Sequence, residues 1–428
     1  MFTFFVQNFG CRATQADGAA LENALAARGL RPAARNEAEI VILNTCTVTA
    51  AADQDARQAV HRILRENPNA RIVVTGCYAQ RAAEEIAAWP GVACVVGNTD
   101  KMRVPELIGA RGFERAAPPL VQVGDITARQ EFVTAVVEDA AGDRTRPNLK
   151  VQDGCSNRCS FCIIPSVRGR SRSAPADWVV EQVRRLAARY REVVLSGVNL
   201  GRWGRDLDGR LRLADLIERL LRETEVERLR LSSVEPMDWT DRLLGLMAAS
   251  PRIAPHVHAP LQTGSDAVLR RMRRPYRARH YEDRLRKARA LMPDAAIGAD
   301  VMAGFPGETE AEFEENRAFI EALPFTYLHV FTYSPRPGTP AAAAPEQVPV
   351  RVRKERSRIL RELGAKKNLE FRKSFVGRSL SVVTLVQPGA ALSGNYLKVE
   401  LAERREANRI VEVAVGGLTA GGLRERQG

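Results

Sequence analysis

The sequence predicts an α/β protein with an N-terminal parallel α/β domain, a central partial (β/α)6 barrel and a small C-terminal antiparallel β-barrel. Three patterns predict this fold class. Short apolar runs alternate with helical patterns over residues 1–112, and the same alternation returns over residues 145–368. Residues 369–428 change to short β stretches with glycine-rich turns. Residues 113–144 contain prolines and charges with little periodicity, which is typical of a linker.

The first domain carries three cysteines directly after predicted strands. The predicted strands are Phe2–Val6, Ile40–Leu43, Ile72–Val74 and Val92–Val96, and the predicted helices are Thr14–Arg28, Asp53–Glu66 and Arg81–Ala88. The carboxyl ends of parallel strands lie at one edge of the sheet, where ligands bind. We therefore expect Cys11, Cys46 and Cys77 to meet at that edge. Cys94 lies inside an apolar strand and is expected to be a buried structural thiol.

The central domain contains six βα units. Its predicted strands are Leu149–Val151, Glu192–Ser196, Arg228–Leu231, His256–Ala259, Ala296–Val301 and Tyr327–Phe331, with helices such as Ala176–Ala188 and Asp266–Met272 between them. Six units are fewer than the eight of a closed barrel, so an open barrel is expected. A helix over Arg351–Lys373 follows. The C-terminal barrel is predicted from Ser379–Gln387, Asn395–Leu401 and Arg409–Val415.

Cys155, Cys159 and Cys162 lie within eight residues on a loop that follows a predicted strand. Thiolates are the preferred ligands of iron–sulfur clusters, and three protein ligands leave one iron of a [4Fe–4S] cluster open. A structural zinc site needs a fourth ligand, and no His or Cys follows at zinc spacing. The opening residues lack the basic segment of a secretory signal, and no apolar run approaches the ~20 residues of a membrane span. A cytoplasmic location is therefore expected.

The C-x3-C-x2-C spacing resembles the motif of radical S-adenosylmethionine enzymes. This resemblance implies that the open iron binds S-adenosylmethionine, that the reduced cluster cleaves it to a 5′-deoxyadenosyl radical, and that Phe161 lies beside the adenine. It also implies further S-adenosylmethionine contacts at later strand ends. These are Ser196, Gly197 and Asn199 toward the methionine amino group, Ser233 and Glu235 toward the ribose or carboxylate, and Gly304, Phe305 and Pro306 toward the adenine.

Taken with the N-terminal cysteines, the whole chain resembles the radical S-adenosylmethionine methylthiotransferases, which combine a methylthiotransferase domain, a radical domain and a TRAM domain. The resemblance implies a second [4Fe–4S] cluster on Cys11, Cys46 and Cys77, whose open iron carries sulfur. It also implies two S-adenosylmethionine molecules per product: one methylates the sulfur and the other yields the radical that removes hydrogen from a C–H bond. An iron–sulfur RNA-binding or electron-transfer protein without turnover is the alternative, but it does not explain the ordered motifs at the strand ends.

The net charge of +13 suits a polyanionic partner, although an arginine-rich composition alone would also produce it. The TRAM-like end and the basic stretches favour the anticodon loop of tRNA. The predicted RNA contacts are Arg168, Arg170, Arg273, Arg274 and Lys398, and solvated surface charge is the alternative for the basic stretches. The family also implies a reducing partner such as flavodoxin or ferredoxin, and a sulfur donor.

Three branches of this family act on different substrates. Asn44–Thr49, Gly76–Gln80 and Val151–Cys155 resemble the branch that modifies N6-threonylcarbamoyladenosine at position 37 of tRNA. The N6-isopentenyladenosine branch is the first alternative, and Pro260–Asp266 argues against the branch that modifies an aspartate of a ribosomal protein. Phe9–Gln15 departs from the residues that commonly follow the first cysteine.

Overall fold

A computed structural model describes residues 2–110, 118–128, 131–133, 136 and 145–427. Within these ranges the chain forms the three predicted parts: a parallel α/β sheet, an open barrel and a closed five-stranded barrel. No helix in the described part of the chain is long and apolar enough to cross a membrane.

The N-terminal domain is a six-stranded parallel sheet in the order β2-β1-β3-β4-β5-β6. The strands are β1 (Thr3–Asn8), β2 (Arg31–Pro32), β3 (Ile40–Thr45), β4 (Arg71–Gly76), β5 (Val92–Val96) and β6 (Leu120–Gln122). The helices are α1 (Arg12–Ala27), α2 (Ala50–Glu66), α3 (Cys77–Arg81), α4 (Ala83–Ala87) and α5 (Val104–Ala110). Ile40 and Ile42 pack on one face of the sheet, whereas Val41 and Leu43 pack on the other. Burial on both faces explains the continuous apolar run of this strand.

Two elements of this domain differ from the sequence predictions. The helix expected at Arg81–Ala88 is the shorter α4, and a further short helix, α3, begins before it, directly at the end of β4. Strand β6 lies inside the predicted linker of residues 113–144 and pairs with β5 at the edge of the sheet. Much of the remainder of that stretch lies outside the described residues, so the linker boundaries stay a prediction. Cys94 is buried in β5, as expected.

The central domain contains six parallel strands in two sheets, β10-β9-β7 and β11-β12-β13, with β8 added antiparallel to β7. The strands are β7 (Asn148–Asp153), β8 (Arg172–Ser173), β9 (Glu192–Gly197), β10 (Arg228–Leu231), β11 (His256–His258), β12 (Ala296–Ala303) and β13 (Tyr327–Thr332). The helices are α6 (Ile164–Arg168), α7 (Ala176–Ala187), α8 (Leu213–Glu223), α9 (Asp241–Ala249), α10 (Asp266–Arg271), α11 (Ala278–Leu291), α12 (Glu310–Ala322) and α13 (Val350–Lys373). A bond of 2.9 Å from Ala254 N to Leu229 O joins the two sheets. The strands therefore form the expected partial barrel.

The C-terminal domain is a closed barrel in the order β14-β15-β16-β18-β17. Its strands are β14 (Ser379–Thr384), β15 (Ala390–Ser393), β16 (Lys398–Glu400), β17 (Ile410–Leu418) and β18 (Leu423–Glu425). All neighbouring pairs are antiparallel except β16 and β18. A closed ring with an odd number of strands cannot alternate direction throughout, so one parallel pair is unavoidable.

The turn between β15 and β16 joins this barrel to the rest of the protein. Buried Arg230 donates to Gly394 O at 2.9 Å and pairs with buried Glu192 at 2.7 Å. The Tyr396 ring stacks on His256, with 4.6 Å between the ring centroids. The Tyr396 hydroxyl accepts a hydrogen bond from Nη2 of Arg12 at 3.0 Å. These contacts link all three domains at the amino-terminal ends of β9 and β11.

Candidate active site

The first cysteine set consists of Cys11, Cys46 and Cys77. They follow β1, β3 and β4, which are adjacent parallel strands, so the predicted convergence at one edge of the sheet is present. Gly10 has a φ of +93°, and a Cβ atom there would lie 2.5 Å from Cys46 Cβ. Only glycine allows the Cys11 loop to come this close to Cys46.

Electrostatics at this set disfavour a free thiolate at Cys46. Burial, together with the neighbouring Cys77 and Cys11 sulfurs, raises the pKa of the Cys46 thiol to about 12. Mutual repulsion of this kind requires that the sulfurs lie near one another. Metal coordination would relieve it, because a metal ligand must be deprotonated and the metal supplies the missing positive charge.

The second cysteine set consists of Cys155, Cys159 and Cys162, on the loop after β7. Gly154 has a φ of +70°, and a Cβ atom there would lie 2.0 Å from Arg170 O, so the loop turns where only glycine fits. Burial raises the pKa of Cys162 to about 12 and also raises that of Cys155. This set therefore has the same requirement for compensating positive charge as the first.

Each set receives hydrogen bonds from one buried arginine and one asparagine. Arg168 Nε donates to Cys77 Sγ at 3.2 Å, and Asn98 Nδ2 donates to the same sulfur at 3.4 Å. In the second set, Arg274 Nη1 donates to Cys159 Sγ at 3.2 Å, and Asn199 Nδ2 donates to Cys155 Sγ at 3.5 Å. N–H donors of this kind stabilise thiolate sulfur and are typical of the surroundings of iron–sulfur clusters.

A buried ion network connects the two domains beside the first set. Asp17 of α1 contacts Lys101 at 2.7 Å and Arg168 at 3.0 Å, and it also pairs with Lys150. Asp153, directly before the second cysteine loop, contacts Lys150 at 2.8 Å and Arg168 at 2.9 Å. Three cations and two carboxylates leave one excess positive charge in this network, and the Arg168 guanidinium lies against Cys77.

A small apolar contact joins Cys77 of the first set to the segment that follows the second cysteine loop. Cys77 packs against Ile163, the residue after Cys162, and against Val167 of α6. Tetrahedral zinc, with Zn–S bonds of about 2.3 Å, would hold its sulfurs about 3.8 Å apart. Among the described residues, one group of three side chains that could bind a metal has all its ligand atoms within 4.8 Å of one another. That group contains no cysteine. In neither set do all three sulfurs lie within 4.8 Å of one another, so these thiols are spaced more widely than a single zinc ion would hold them.

The residues that the sequence assigns to S-adenosylmethionine lie at strand ends around the second set. Asn199 contacts Cys155, as described above, and Gly197 ends β9 beside Gln152. Ser196 is fully buried. After β10, Glu235 pairs with Arg274, the donor to Cys159, whereas Ser233 is half-buried.

The remaining S-adenosylmethionine residues follow β12. The Phe161 and Phe305 rings meet edge to face with 6.4 Å between their centroids. Gly304 and Pro306 are buried on either side of Phe305. The assignment of these residues to S-adenosylmethionine stays a prediction, although the structure brings them to the same end of the barrel as the cysteine loop.

Two of the five predicted RNA contacts are wrong. Arg168 and Arg274 are almost fully buried and engaged by carboxylates and cysteine sulfurs, so neither reaches a phosphate. Arg170, Arg273 and Lys398 are exposed and remain available. The sequence analysis also missed Asn98 and Asp17 as site residues. The one signal for Asp17 is an acid on the alanine-rich buried face of α1.

Comparisons with known proteins agree with this architecture. A family model described as Uncharacterized protein family UPF0004 matches residues 3–97, and the Radical SAM superfamily model matches residues 149–320. The threonylcarbamoyladenosine tRNA methylthiotransferase MtaB of Aquifex aeolicus is 36% identical over 414 residues, which cover 96% of this chain and 99% of that protein. MtaB of Bacillus subtilis is 40% identical over 348 residues, covering 81% of this chain and 76% of that protein.

A second kind of relative is also similar. A tRNA-2-methylthio-N(6)-dimethylallyladenosine synthase of Novosphingobium aromaticivorans is 35% identical over 387 residues, covering 89% of this chain and 86% of that protein. Among solved structures, the radical S-adenosylmethionine methyltransferase TsrM of Kitasatospora setae aligns with a TM-score of 0.55 and 16% identity. The alignment covers 79% of this chain and 76% of that chain, and it shows a likeness of fold alone. With three relatives of at least 35% identity, whose sequences are matched over 99%, 76% and 86% of their lengths, this chain belongs to the radical S-adenosylmethionine methylthiotransferase family.

Proposed function

We propose that this protein adds a methylthio group to C2 of N6-threonylcarbamoyladenosine at position 37 of tRNA. It would use two [4Fe–4S] clusters and two S-adenosylmethionine molecules per product. The observation that carries the proposal is the pair of cysteine sets, each at the carboxyl ends of parallel strands, with Cys77 of the first set packed against Ile163, the residue after Cys162 of the second. C–S bond formation at an inert carbon needs both a radical and a sulfur source close to the same atom.

The cysteines would hold the clusters. Cys155, Cys159 and Cys162 would bind one cluster with an open iron, and Cys11, Cys46 and Cys77 would bind the other. When bound, the clusters supply reductive cleavage of S-adenosylmethionine at the second set and a place for the transferred sulfur at the first.

The surrounding residues of this chain orient and insulate these ligands. Arg168 and Arg274 offset the negative charge of the sulfurs, each from a buried position. Ile163 and Val167 exclude water from the contact between the sets. Phe161 and Phe305 form an aromatic wall beside the second set, suited to the adenine of S-adenosylmethionine. Glu235, fixed by Arg274, and Asn199 are suited to its polar groups.

The substrate part of the proposal is supported by the family and by charge. The Aquifex and Bacillus relatives are named for threonylcarbamoyladenosine in tRNA. The exposed cations Arg170, Arg273 and Lys398 provide phosphate contacts of the kind that dominate nucleic-acid affinity. A flavodoxin or ferredoxin would supply the electron, and a separate sulfur donor would replenish the first set.

Nucleoside mass spectrometry of tRNA from cells that lack the gene tests this function. We expect loss of the 2-methylthio form of N6-threonylcarbamoyladenosine, restored by the intact gene, and retention of the 2-methylthio form of N6-isopentenyladenosine. Loss of the isopentenyl form alone would instead identify N6-isopentenyladenosine as the substrate, as the dimethylallyladenosine relative suggests. Retention of both forms would refute the proposal.

A further inference from the structure

The inner face of β13 is open to the interior of the central barrel. Side chains alternate along a strand, so Tyr327, His329 and Phe331 share one face. The Tyr327 and His258 rings stack with 5.9 Å between their centroids, which places this face toward the lumen. The side chain of His329 is 51% exposed and Phe331 is 47% exposed. An exposed phenylalanine and an exposed histidine therefore line the open side of the barrel.

The segment that follows β13 contacts the surroundings of both cysteine sets. Two residues after Phe331, the ring of Tyr333 meets that of Phe305 at 5.7 Å, and Phe305 in turn contacts Phe161 of the second cysteine loop. On the other side, Arg336 Nη1 donates to the carbonyl of Thr47, directly after Cys46, at 3.3 Å. A substrate atom that must reach both sets would pass beside the carboxyl end of β13.

A polar cluster adjoins Phe331 on the same face. His258 Nε2 and His329 Nδ1 lie 3.4 and 3.3 Å from Asp300 Oδ1, so three neighbouring strands contribute one side chain each. Burial opposes ionisation of Asp300, but the neighbouring His258 and His329 side chains hold its pKa below the usual range. His258 Nε2 is buried without a well-formed hydrogen bond. The cluster therefore has unused hydrogen-bonding capacity around a charged carboxylate.

We infer that this face is the pocket for the target nucleoside: Phe331 stacks on the adenine, and Asp300 with His329 binds a polar, carboxylate-bearing group on N6. This inference rests on the proposed function. Protein aromatics commonly stack on unpaired RNA bases. A threonylcarbamoyl group offers a ureido N–H for the Asp300 carboxylate and a carboxylate for the His329 imidazole. An isopentenyl group offers neither and would displace water from the Asp300 carboxylate without replacing the hydrogen bonds of that water, which is unfavourable.

Binding of anticodon stem-loop RNAs tests the inference. The reconstituted full-length protein is titrated anaerobically, with fluorescence anisotropy as the readout, against RNAs carrying N6-threonylcarbamoyladenosine, N6-isopentenyladenosine or adenosine at position 37. We expect His329→Ala and Asp300→Asn to remove the preference for the threonylcarbamoyl RNA while 5′-deoxyadenosine formation without RNA is retained. Phe331→Leu should weaken the binding of all three RNAs about 5- to 150-fold, the range that corresponds to roughly 1–3 kcal/mol per stacked base. Phe331→Tyr keeps an aromatic ring and should bind with an affinity near that of the wild type.

Leu291→Ala is the matched control, because Leu291 is 43% exposed at the far end of α11 and lies outside the proposed pocket. Unchanged affinity and preference in the Phe331 and His329 variants would overturn the inference, even if the wild-type protein makes the methylthio product. A stoichiometric metal ion that is lost only in His329→Ala would also overturn it in favour of a metal site. Failure of the wild-type protein to form 5′-deoxyadenosine or product would instead refute the proposed function.

Discussion

Replacing Asp17 with asparagine removes the carboxylate that ties the first domain to the central barrel. Asp17 lies on α1, whereas two of its three cationic partners, Lys150 and Arg168, belong to the central domain. Arg168 also donates to Cys77. The Asp17→Asn substitution keeps the size of the side chain, so its effect reports the charge and not a cavity.

The size of the effect follows from which cations lose their counter-charge. Lys150 and Arg168 keep Asp153 at 2.8 and 2.9 Å. Among the described residues, Asp17 is the only carboxylate that Lys101 contacts, and the side chain of Lys101 is 6% exposed. Breaking a buried ion pair from one side costs roughly 3–5 kcal/mol, because the other charge stays buried without compensation. We therefore expect Asp17→Asn to lower the free energy of unfolding by about that amount.

Urea unfolding of the anaerobic protein measures this change, with Asp177→Asn as the control. Asp177 also pairs with an arginine, Arg219 at 2.6 Å, but its side chain is 87% exposed, so we expect a change of at most about 1 kcal/mol. Adding Lys101→Met to Asp17→Asn should recover part of the loss, because it removes the orphaned cation. An Asp17→Asn effect no larger than the control would refute the claim that this network holds the domains together.

Three further predictions concern other charged contacts. The cations around Asp17 hold its pKa below the usual range, so its contribution to stability is present above the unfolded pKa of about 3.9 and is lost as pH falls. The free energy of unfolding of the wild type should therefore decrease more steeply below about pH 4 than that of Asp17→Asn. Arg274→Met leaves Glu235 without its cation and should destabilise the protein by roughly 3–5 kcal/mol in thermal unfolding, with partial recovery on adding Glu235→Gln. Arg230→Met removes hydrogen bonds that hold the C-terminal barrel against the central domain, and bonds from a charged donor contribute about 1.5–3 kcal/mol each. Proteolysis between α13 and β14 should therefore be about tenfold faster or more. A rate equal to that of the wild type would contradict the role of Arg230 in holding the barrel.

The convergence of the first cysteine set could be predicted from local sequence. Buried parallel strands are short continuous apolar runs, and the residues directly after them lie at one edge of the sheet. Cys46 and Cys77 follow their strands without a gap, so small errors in strand boundaries did not move them. The same reasoning brought Asn199 and Glu235 to the end of the barrel that carries the second set.

The roles of Arg168 and Arg274 could not be predicted in this way. Each lies in a basic stretch, where arginine is usually exposed. In the structure each is buried and pairs with a carboxylate that is distant in the sequence. Asp17 is 151 residues from Arg168, and Glu235 is 39 residues from Arg274. Charge patterns report local composition, whereas ion pairing across domains depends on the packing of the domains.

The cluster around Asp300 was missed for a related reason. His258, Asp300 and His329 are single polar residues on three different strands. Alternation assigns each of them to a face of its own strand, but only the register between strands places them side by side. Strand β6 escaped prediction because three residues in a proline-containing stretch give too short a pattern.

The central claim is that the two cysteine sets divide the work, and the products of a triple Cys11→Ala, Cys46→Ala, Cys77→Ala variant test it most directly. The variant is reconstituted anaerobically and supplied with dithionite, S-adenosylmethionine and tRNA that carries N6-threonylcarbamoyladenosine. We expect about four irons per chain, continued formation of 5′-deoxyadenosine and no 2-methylthio nucleoside by mass spectrometry. The triple alanine variant of Cys155, Cys159 and Cys162 should retain a similar iron content and form neither product. A 2-methylthio product from the first variant would contradict the assignment of sulfur transfer to Cys11, Cys46 and Cys77.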